Sequence, residues 1–501
     1  MKRVKRVLAL LAAFALVLAM AVPAFAEEAK YKITINNSVG TYEAYQIFKG
    51  DLAGNVLSNI EWGAGVTADG RAAFDGKTAA DVAKTLENNE TAAKAFATKI
   101  SGYLDTTAAV EGTDKITGLS AGYYLIKNKS VNEGEAYTDF ILQVVNNVKI
   151  TPKGQKPTLE KQIKHNDGEW GVVGDNQIGD TVEFRTITTV PITTGYTEYD
   201  YTIFDEMSTG LTSDVKDASG ITIKINDEEK LDSSYYTVTV NANKFSVKVD
   251  ILKAIREGKI AEGNKLYTYY TGVLNEDANV YDKGNQQNTA YLQYSNNPHD
   301  TTKGETPHVT VYDWTFKMNV QKIDGADKEK ELKDAKFVLS KNGAVDLGTI
   351  DENGTPTKTE NLIKLVYDSE NSTYRVATAS DKNITYVMTA GNITIKGLDD
   401  AVDYYLYETK APAGYNRLTE PVKFKINATY DETGDSCTAV STKVGDKAAV
   451  TGLKVSVENN AGTTLPSTGG MGTTVFYVVG GGLMAVAVVL LVTKKRMENK
   501  R

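Results

Sequence analysis

Short runs in which apolar and polar residues alternate decide most of what this chain can become. Tyr235-Tyr236-Thr237-Val238-Thr239-Val240, Phe245-Ser246-Val247-Lys248-Val249 and Val422-Lys423-Phe424-Lys425-Ile426 send every second side chain to one face, the period of a half-buried strand. Phe140 to Val145 and Tyr404 to Tyr407 are apolar runs of strand length. Gly and Asn punctuate them. Helical signals are few. Ala79 to Ile100, opening after Thr78 and rich in Ala, Lys and Glu, is the best, and Ile251 to Glu257 suggests one short turn. The expectation is an all-β chain of tandem Ig-like β-sandwiches. The 28 Tyr outnumber the 13 Phe and 3 Trp together, which also favours strands. A length of 501 residues allows about three domains.

The two ends do not fit that pattern. Met1 to Ala26 has a basic start (Lys2, Arg3, Lys5, Arg6), an apolar stretch from Val7 to Val22, and Ala24-Phe25-Ala26 as a small-x-small cleavage site after Ala26. This reads as a secretory signal, with an uncleaved anchor as the alternative. Val475 to Val492 is an uncharged run of roughly 27 Å as a helix, enough for a bilayer core. Residues 493–501 form a basic tail expected to stay cytoplasmic. Just ahead lies Leu465-Pro466-Ser467-Thr468-Gly469, which Pro466 keeps extended. Pentapeptide, span and tail together resemble a Gram-positive LPXTG cell-wall sorting signal. That resemblance implies cleavage between Thr468 and Gly469 by a sortase, which passes the Thr468 carbonyl to an amine. The mature chain would be 27–468. Nine of the 56 basic and one of the 64 acidic residues lie in the removed ends, leaving the body at net −16. Such a surface is soluble and self-repelling and excludes a basic nucleic-acid face.

Pro-bearing strings at Thr151–Pro157 and Asn296–Pro307 divide the body. We expect an N-terminal domain over 27–155, a middle sandwich over 156–312 and a C-terminal domain over 313–462. In the last of these, Phe316, Met318, Val320 and Lys322 share one parity. So do Tyr404, Leu406 and Glu408, and so do Leu453, Val455, Val457 and Asn459. A Lys, a Glu and an Asn therefore point toward one core. A buried Lys–Glu ion pair is the plain explanation. The alternative is covalent. Burial favours the free amine and the protonated acid, and a neutral amine beside a carboxamide polarised by an acid is a nucleophile beside an electrophile. Attack would expel ammonia and leave an amide between the Lys322 and Asn459 side chains.

Val320-Gln321-Lys322-Ile323-Asp324 and Leu332-Lys333-Asp334-Ala335-Lys336-Phe337 resemble the opening of a Cna-B-type domain. Tyr404 to Tyr415, reading YYLYETKAPAGY, is similar to the pilin E-box, and Val457-Glu458-Asn459 to its Asn strand. The chain as a whole resembles the sortase-assembled major pilins of Gram-positive bacteria. The resemblance implies Glu408 as the acid promoting a Lys322–Asn459 isopeptide bond. The neighbouring Asn460 has the wrong parity. In the middle domain, Lys161, Asp205 and Asn288 each share parity with apolar neighbours. By the same resemblance Lys161 bonds Asn288 with Asp205 assisting, Asn296 being a competing acceptor and an ordinary strand-end Asp the alternative. The first domain has no acid in its E-box-like strand around Gly118 to Ile126, so no internal bond is expected there.

Val148-Lys149-Ile150-Thr151-Pro152-Lys153 resembles the pilin motif, with Thr151 where Tyr is usual. The resemblance implies that Thr468 of one subunit is joined to Lys153 of the next, with Lys149 and Lys156 as alternatives. The implied partners are further copies of the chain, pilin and housekeeping sortases, peptidoglycan, and minor tip or base pilins and host surface ligands. The expected function is a structural pilus backbone with a role in surface adhesion. A monomeric wall-anchored adhesin is the second reading. No enzyme is expected, because no G-x-S-x-G or H-E-x-x-H motif is present. No cofactor or metal is expected either. Cys437 is the single cysteine, and the three His (His165, His299, His308) lack metal-ligand spacing.

Overall fold

A computed structural model describes residues 30–36, 40–87, 89–129, 139–150, 157–166, 168–298, 301–462 and 472–498. The all-β expectation holds: among the described residues, six sheets follow one another along the chain. Residues 30–150 build a three-stranded sheet, in which Tyr31–Ile35 lies parallel to Val148–Ile150, and a five-stranded sheet around Tyr42–Ala53. The expected long helix is two helices, Ala79–Leu86 and Glu90–Ser101. Thr78 caps the first through a reciprocal capping box with Asp81. Asn89 accepts from the Ala92 amide and starts the second, so capping chemistry interrupts what composition reads as one helix. Their apolar faces, with Val82, Phe96 and Ile100, pack on Tyr45, Ile47 and Phe48. Tyr42 and Ala44 pack instead with Ile33 and Ile35 of the small sheet. One strand is thus buried against two different partners.

The next part is a sandwich of two seven-stranded sheets. One holds Leu159–Lys164, Thr181–Thr189 and Lys265–Leu274 side by side. The other holds Tyr201–Met207, Gln286–Ser295 and Val309–Trp314. The last part packs a five-stranded sheet, where Phe316–Asp324 runs parallel to Lys454–Asn459, on a six-stranded sheet containing Asp403–Lys410 and Val422–Tyr430. The chain passes between these two sandwiches at Thr315, buried with its Oγ1 donating to Leu398 O at 3.1 Å.

The two later sandwiches share one continuous apolar core from Leu159 to Val457. Trp314 Nε1 donates across the junction to Gly434 O at 3.0 Å, and the Ile178 amide to Gly397 O at 3.1 Å. Gly397 sits at φ +84°, and a Cβ there would meet Ile178 Cδ1 at 2.7 Å, so only glycine lets the two chains approach this closely. Among the described residues, the first part and the middle sandwich share no apolar cluster and meet through polar contacts. Lys94 Nζ meets Glu262 Oε2 at 2.9 Å, and the Gly195 amide donates to Thr98 Oγ1 at 3.0 Å.

Gly472–Glu498 is one helix. An 18-residue window of its Phe476–Glu498 portion has a mean hydropathy of 2.3 and none of that window is buried against protein, so by length and composition it can cross a membrane.

Candidate functional site

The parity argument for the last sandwich is met residue by residue. Lys322 and Asn459 are fully buried and Glu408 is 5% exposed. Lys322 and Asn459 come from neighbouring parallel strands of one sheet, and Glu408 reaches over from the facing sheet. Lys322 Nζ donates to Asn459 Oδ1 and to Val457 O, and lies 3.4 Å from Glu408 Oε1. The Asn459 Nδ2 group donates to Glu408 Oε1 and Oε2 at 3.1 and 3.0 Å, and to Asn416 O at 2.8 Å. Glu408 therefore contacts both the amine and the amide nitrogen. Burial pushes the Lys322 amine below its ordinary pKa, against the pull of Glu408, so desolvation favours the uncharged form.

The segment after Glu408 explains this geometry. A turn at Pro412-Ala413-Gly414, closed by the Tyr415 amide on Pro412 O and by Gly414 at φ +86°, swings the chain back over the site. It brings the Asn416 carbonyl onto Asn459 and the Leu418 amide onto Glu408 Oε2 at 2.8 Å. Asn460 is exposed, as its parity requires.

In the middle sandwich Lys161, Asp205 and Asn288 are also brought together, but from opposite sheets. Lys161 stands on one sheet; Asp205 and Asn288 stand on the other. They are 2%, 3% and 0% exposed. Lys161 Nζ donates to Asp205 Oδ2 at 2.6 Å. Burial lowers the Lys161 pKa and raises that of Asp205, in both cases overriding the attraction between them. Burial therefore works against both charged forms. Asp205 Oδ1 and Asn288 Oδ1 have no hydrogen-bond partner, and a proton on Asp205 would supply the donor that two bare oxygens lack. Asn296 is only partly buried, and its Oδ1 accepts from Thr302 Oγ1 at 2.8 Å, away from this group.

Sequence parity missed Tyr270. It lies on Lys265–Leu274, 4% exposed, and its Oη donates to Asp205 Oδ2 and accepts from Lys161 Nζ. Asn288 Nδ2 donates to the same oxygen at 3.5 Å. The strand Lys265–Leu274 alternates (KLYTYYTGVL, buried at every second residue), so its parity was legible. With so many tyrosines nothing singled it out.

A second missed feature is the acid Glu43, 7% exposed in the first part. It accepts from Tyr45 Oη at 2.8 Å and lies 3.3 Å from Lys127 Nζ. Lys127 is its direct cross-strand partner, so this is a paired ion bridge on one sheet face.

A third missed feature is a buried acidic group at the junction of the two later sandwiches. Asp175, Asp399 and Asp400 bring oxygens within 4.8 Å of one another, close enough to share a cation or protons. Burial and the neighbouring Asp175 push Asp399 up to about 10 and Asp400 up to about 8. Burial opposes ionisation of Asp175 too, but hydrogen bonds from His165, Asp399 and Asp400 hold it below the usual carboxylate range. The Asn166 amide donates to Asp175 Oδ1 and to both Asp399 oxygens.

Of the other expected residues, Lys149 is exposed on Val148–Ile150. Ala26, Lys153, Lys156 and Leu465-Pro466-Ser467-Thr468-Gly469 lie outside the described residues. Cys437 is half-buried, and burial pushes its thiol up, away from reactivity.

A prealbumin-like fold domain of the SpaA family matches residues 316–436, and an LPXTG cell wall anchor motif matches 457–499. Fimbrial subunit type 2 of Actinomyces naeslundii is 24% identical over 379 residues, covering 71% of this chain and 63% of that protein. Fimbrial subunit type 1 of Actinomyces viscosus is 29% identical over 250 residues, covering 45% and 42%. The chain thus spans less than two thirds of the length of either relative. Among solved structures, the full-length major pilin SpaD from Corynebacterium diphtheriae is 20% identical, covering 89% of this chain and all of that one, at a TM-score of 0.42. BcpA, the major pilin subunit of Bacillus cereus, is 17% identical, covering 87% and all, at 0.41. A SpaA-type domain over 316–436 thus lies directly ahead of an LPXTG cell wall anchor motif over 457–499, and the relatives this chain resembles are fimbrial subunits.

Proposed function

We propose that the chain is the repeating backbone subunit of a covalent pilus, in which a sortase joins Thr468 of one copy to Lys153 of the next. The subunit has no turnover of its own. Its chemistry is two self-cross-linking events, Lys322 with Asn459 promoted by Glu408, and Lys161 with Asn288 promoted by Asp205. Each forms one amide and releases one ammonia. The observation that carries this reading is the Lys322–Glu408–Asn459 contact set. It is a buried amine on a carboxamide oxygen, with a carboxyl group against both the amine and the departing nitrogen. An ordinary buried ion pair has no use for the third residue. The anchor motif supports retention on the peptidoglycan, and surface adhesion follows as the role of a wall-held fibre.

Wall material from the native cell, wild type beside Lys153→Ala, tests the polymer. A high-mass SDS-resistant ladder that collapses in the variant is expected. A ladder that survives moves the acceptor to Lys149 or Lys156, and a single band in both strains supports the adhesin instead. Intact mass of the 27–468 ectodomain tests the internal bonds, which require a loss of two ammonia molecules. A full sequence mass would exclude them.

A further inference from the structure

The two cross-linking sites differ in how the acid reaches the two nitrogens that react. In the last sandwich the longer Glu408 side chain lies 3.4 Å from the Lys322 amine and 3.0 Å from the Asn459 amide nitrogen. Asp205 is one methylene shorter. It holds the Lys161 amine at 2.6 Å, and its other oxygen has no hydrogen-bond partner. Between amine and amide nitrogen stands the Tyr270 hydroxyl, which accepts from Lys161 Nζ, donates to Asp205 Oδ2, and receives Asn288 Nδ2 at 3.5 Å. The position is fixed by packing. The Tyr270 ring stacks on Phe184 at 5.8 Å and meets the edge of Phe245 at 4.9 Å. In the last sandwich the Phe337 ring lies 5.7 Å from the Lys322 amine, the distance at which Phe184 flanks Lys161. The middle site therefore has a comparable aromatic wall and, in addition, a hydroxyl at its centre.

We propose that Tyr270 is a catalytic residue of the middle site, relaying a proton from the Lys161 amine to the departing Asn288 nitrogen. This rests on the Lys161–Asn288 bond of the proposed function and assigns a role which that reading left unfilled. The step balances without a co-reactant. The Lys161 Nζ lone pair forms a bond to Asn288 Cγ, and the carbonyl oxygen takes up charge beside the Asp205 acid proton. Tyr270 Oη accepts a proton from Nζ as its own phenol proton turns from Asp205 Oδ2 to Nδ2, whose lone pair is freed once Cγ becomes tetrahedral. The Cγ–Nδ2 bond then breaks, ammonia leaves, and the carbonyl re-forms with the Asp205 proton returned. The phenol is neutral before and after, as its burial against Asp205 demands.

The test follows bond formation in time. The 27–468 ectodomain is made by cell-free translation, quenched in denaturant at intervals and digested. The cross-linked peptides carrying Lys161–Asn288 and Lys322–Asn459 are then quantified by mass spectrometry. In Tyr270→Phe the middle cross-link should form on the order of 100-fold more slowly, while the Lys322–Asn459 cross-link keeps its wild-type rate. A middle cross-link at the wild-type rate in Tyr270→Phe overturns the relay and leaves the bond itself standing. A wild-type chain that never forms the middle bond overturns both. Should Tyr270→Phe misfold, fluorinated tyrosine at position 270 retains the ring and hydroxyl and changes only the acidity. A several-fold change in rate at an unchanged melting temperature supports the relay; an unchanged rate overturns it.

Discussion

Glu408→Gln separates the covalent reading of the last sandwich from the ion-pair reading. The substitution keeps shape and one acceptor oxygen, but removes the acid that contacts both Lys322 and Asn459. If Glu408 promotes a bond, the variant folds without it. Lys322 and Asn459 are 137 residues apart, and a cross-link closing that loop removes about 5 kcal/mol of unfolded-chain entropy when treated like a disulfide. For a domain of about 150 residues, 5 kcal/mol corresponds to a fall of ~16 °C in melting temperature. Intact mass and thermal melting of the ectodomain read the two halves of the argument together. Wild type should lack two ammonia molecules and Glu408→Gln only one, with the melting drop in the same sample. Glu408→Gln with the ammonia still missing, or with the ammonia retained and the melting point unmoved, would refute the reasoning.

Other outcomes follow from particular contacts. Asp399 and Asp400 have raised pKa values, so the stability they contribute is complete below about pH 4 and is lost as pH climbs through about 8 and then about 10. Melting of the ectodomain should therefore fall from about pH 4 upward and level off once both groups have ionised, by at most about 1.4 kcal/mol per group per pH unit. Asp399→Asn, neutral at every pH, should flatten that limb. Gly397→Ala forces a Cβ onto Ile178 at a positive φ and should cost ~1–3 kcal/mol by overpacking, read in the same melts. Limited trypsin digestion should degrade residues 30–150 first, because their contacts to the middle sandwich are polar and they carry no expected cross-link. Survival of that part after the others are cut would overturn the ranking.

What was legible in this sequence was parity. Lys322, Glu408 and Asn459 could be picked out because each continues an apolar face of a strand, where desolvation makes a polar residue conspicuous. The same signal reached Lys161, Asp205 and Asn288, and it separated Asn459 from Asn460. Tyr270 escaped it because tyrosine belongs on an apolar face, and its hydroxyl becomes informative only when a facing sheet supplies partners. Asp399 and Asp400 were hidden differently. They follow Leu398 at the end of a strand, where two acids read as a solvated turn. Only the docking of one sandwich on the other, with Asp175 beneath, buries them. Such facts live on contacts between distant segments, and no single stretch of sequence holds them.

Sheet topology then decides what each proposed bond would do under load. In the last sandwich the entering strand Phe316–Asp324 and the leaving strand Lys454–Asn459 are parallel neighbours. A bond from Lys322 to Asn459 lies across the path by which tension enters and leaves, and the rest of that sandwich is bypassed. In the middle sandwich the entering strand carries Lys161 on one sheet while Asn288 stands on the other, so the bond pins the two sheets together. Its load is handed on from Asn288 to the neighbouring Val309–Trp314, where Asn288 is paired with Val311, and so through Thr315 to the next entering strand. The stretch between Asn288 and Lys322 is the part of this path that neither bond spans. It is also where Trp314, Thr315 and the glycine-tight contact at Ile178 hold the two sandwiches on one core. If both proposed bonds form, tension in a fibre would concentrate at that junction, where the joint is apolar and closely packed, in contrast to the polar contacts between residues 30–150 and the middle sandwich.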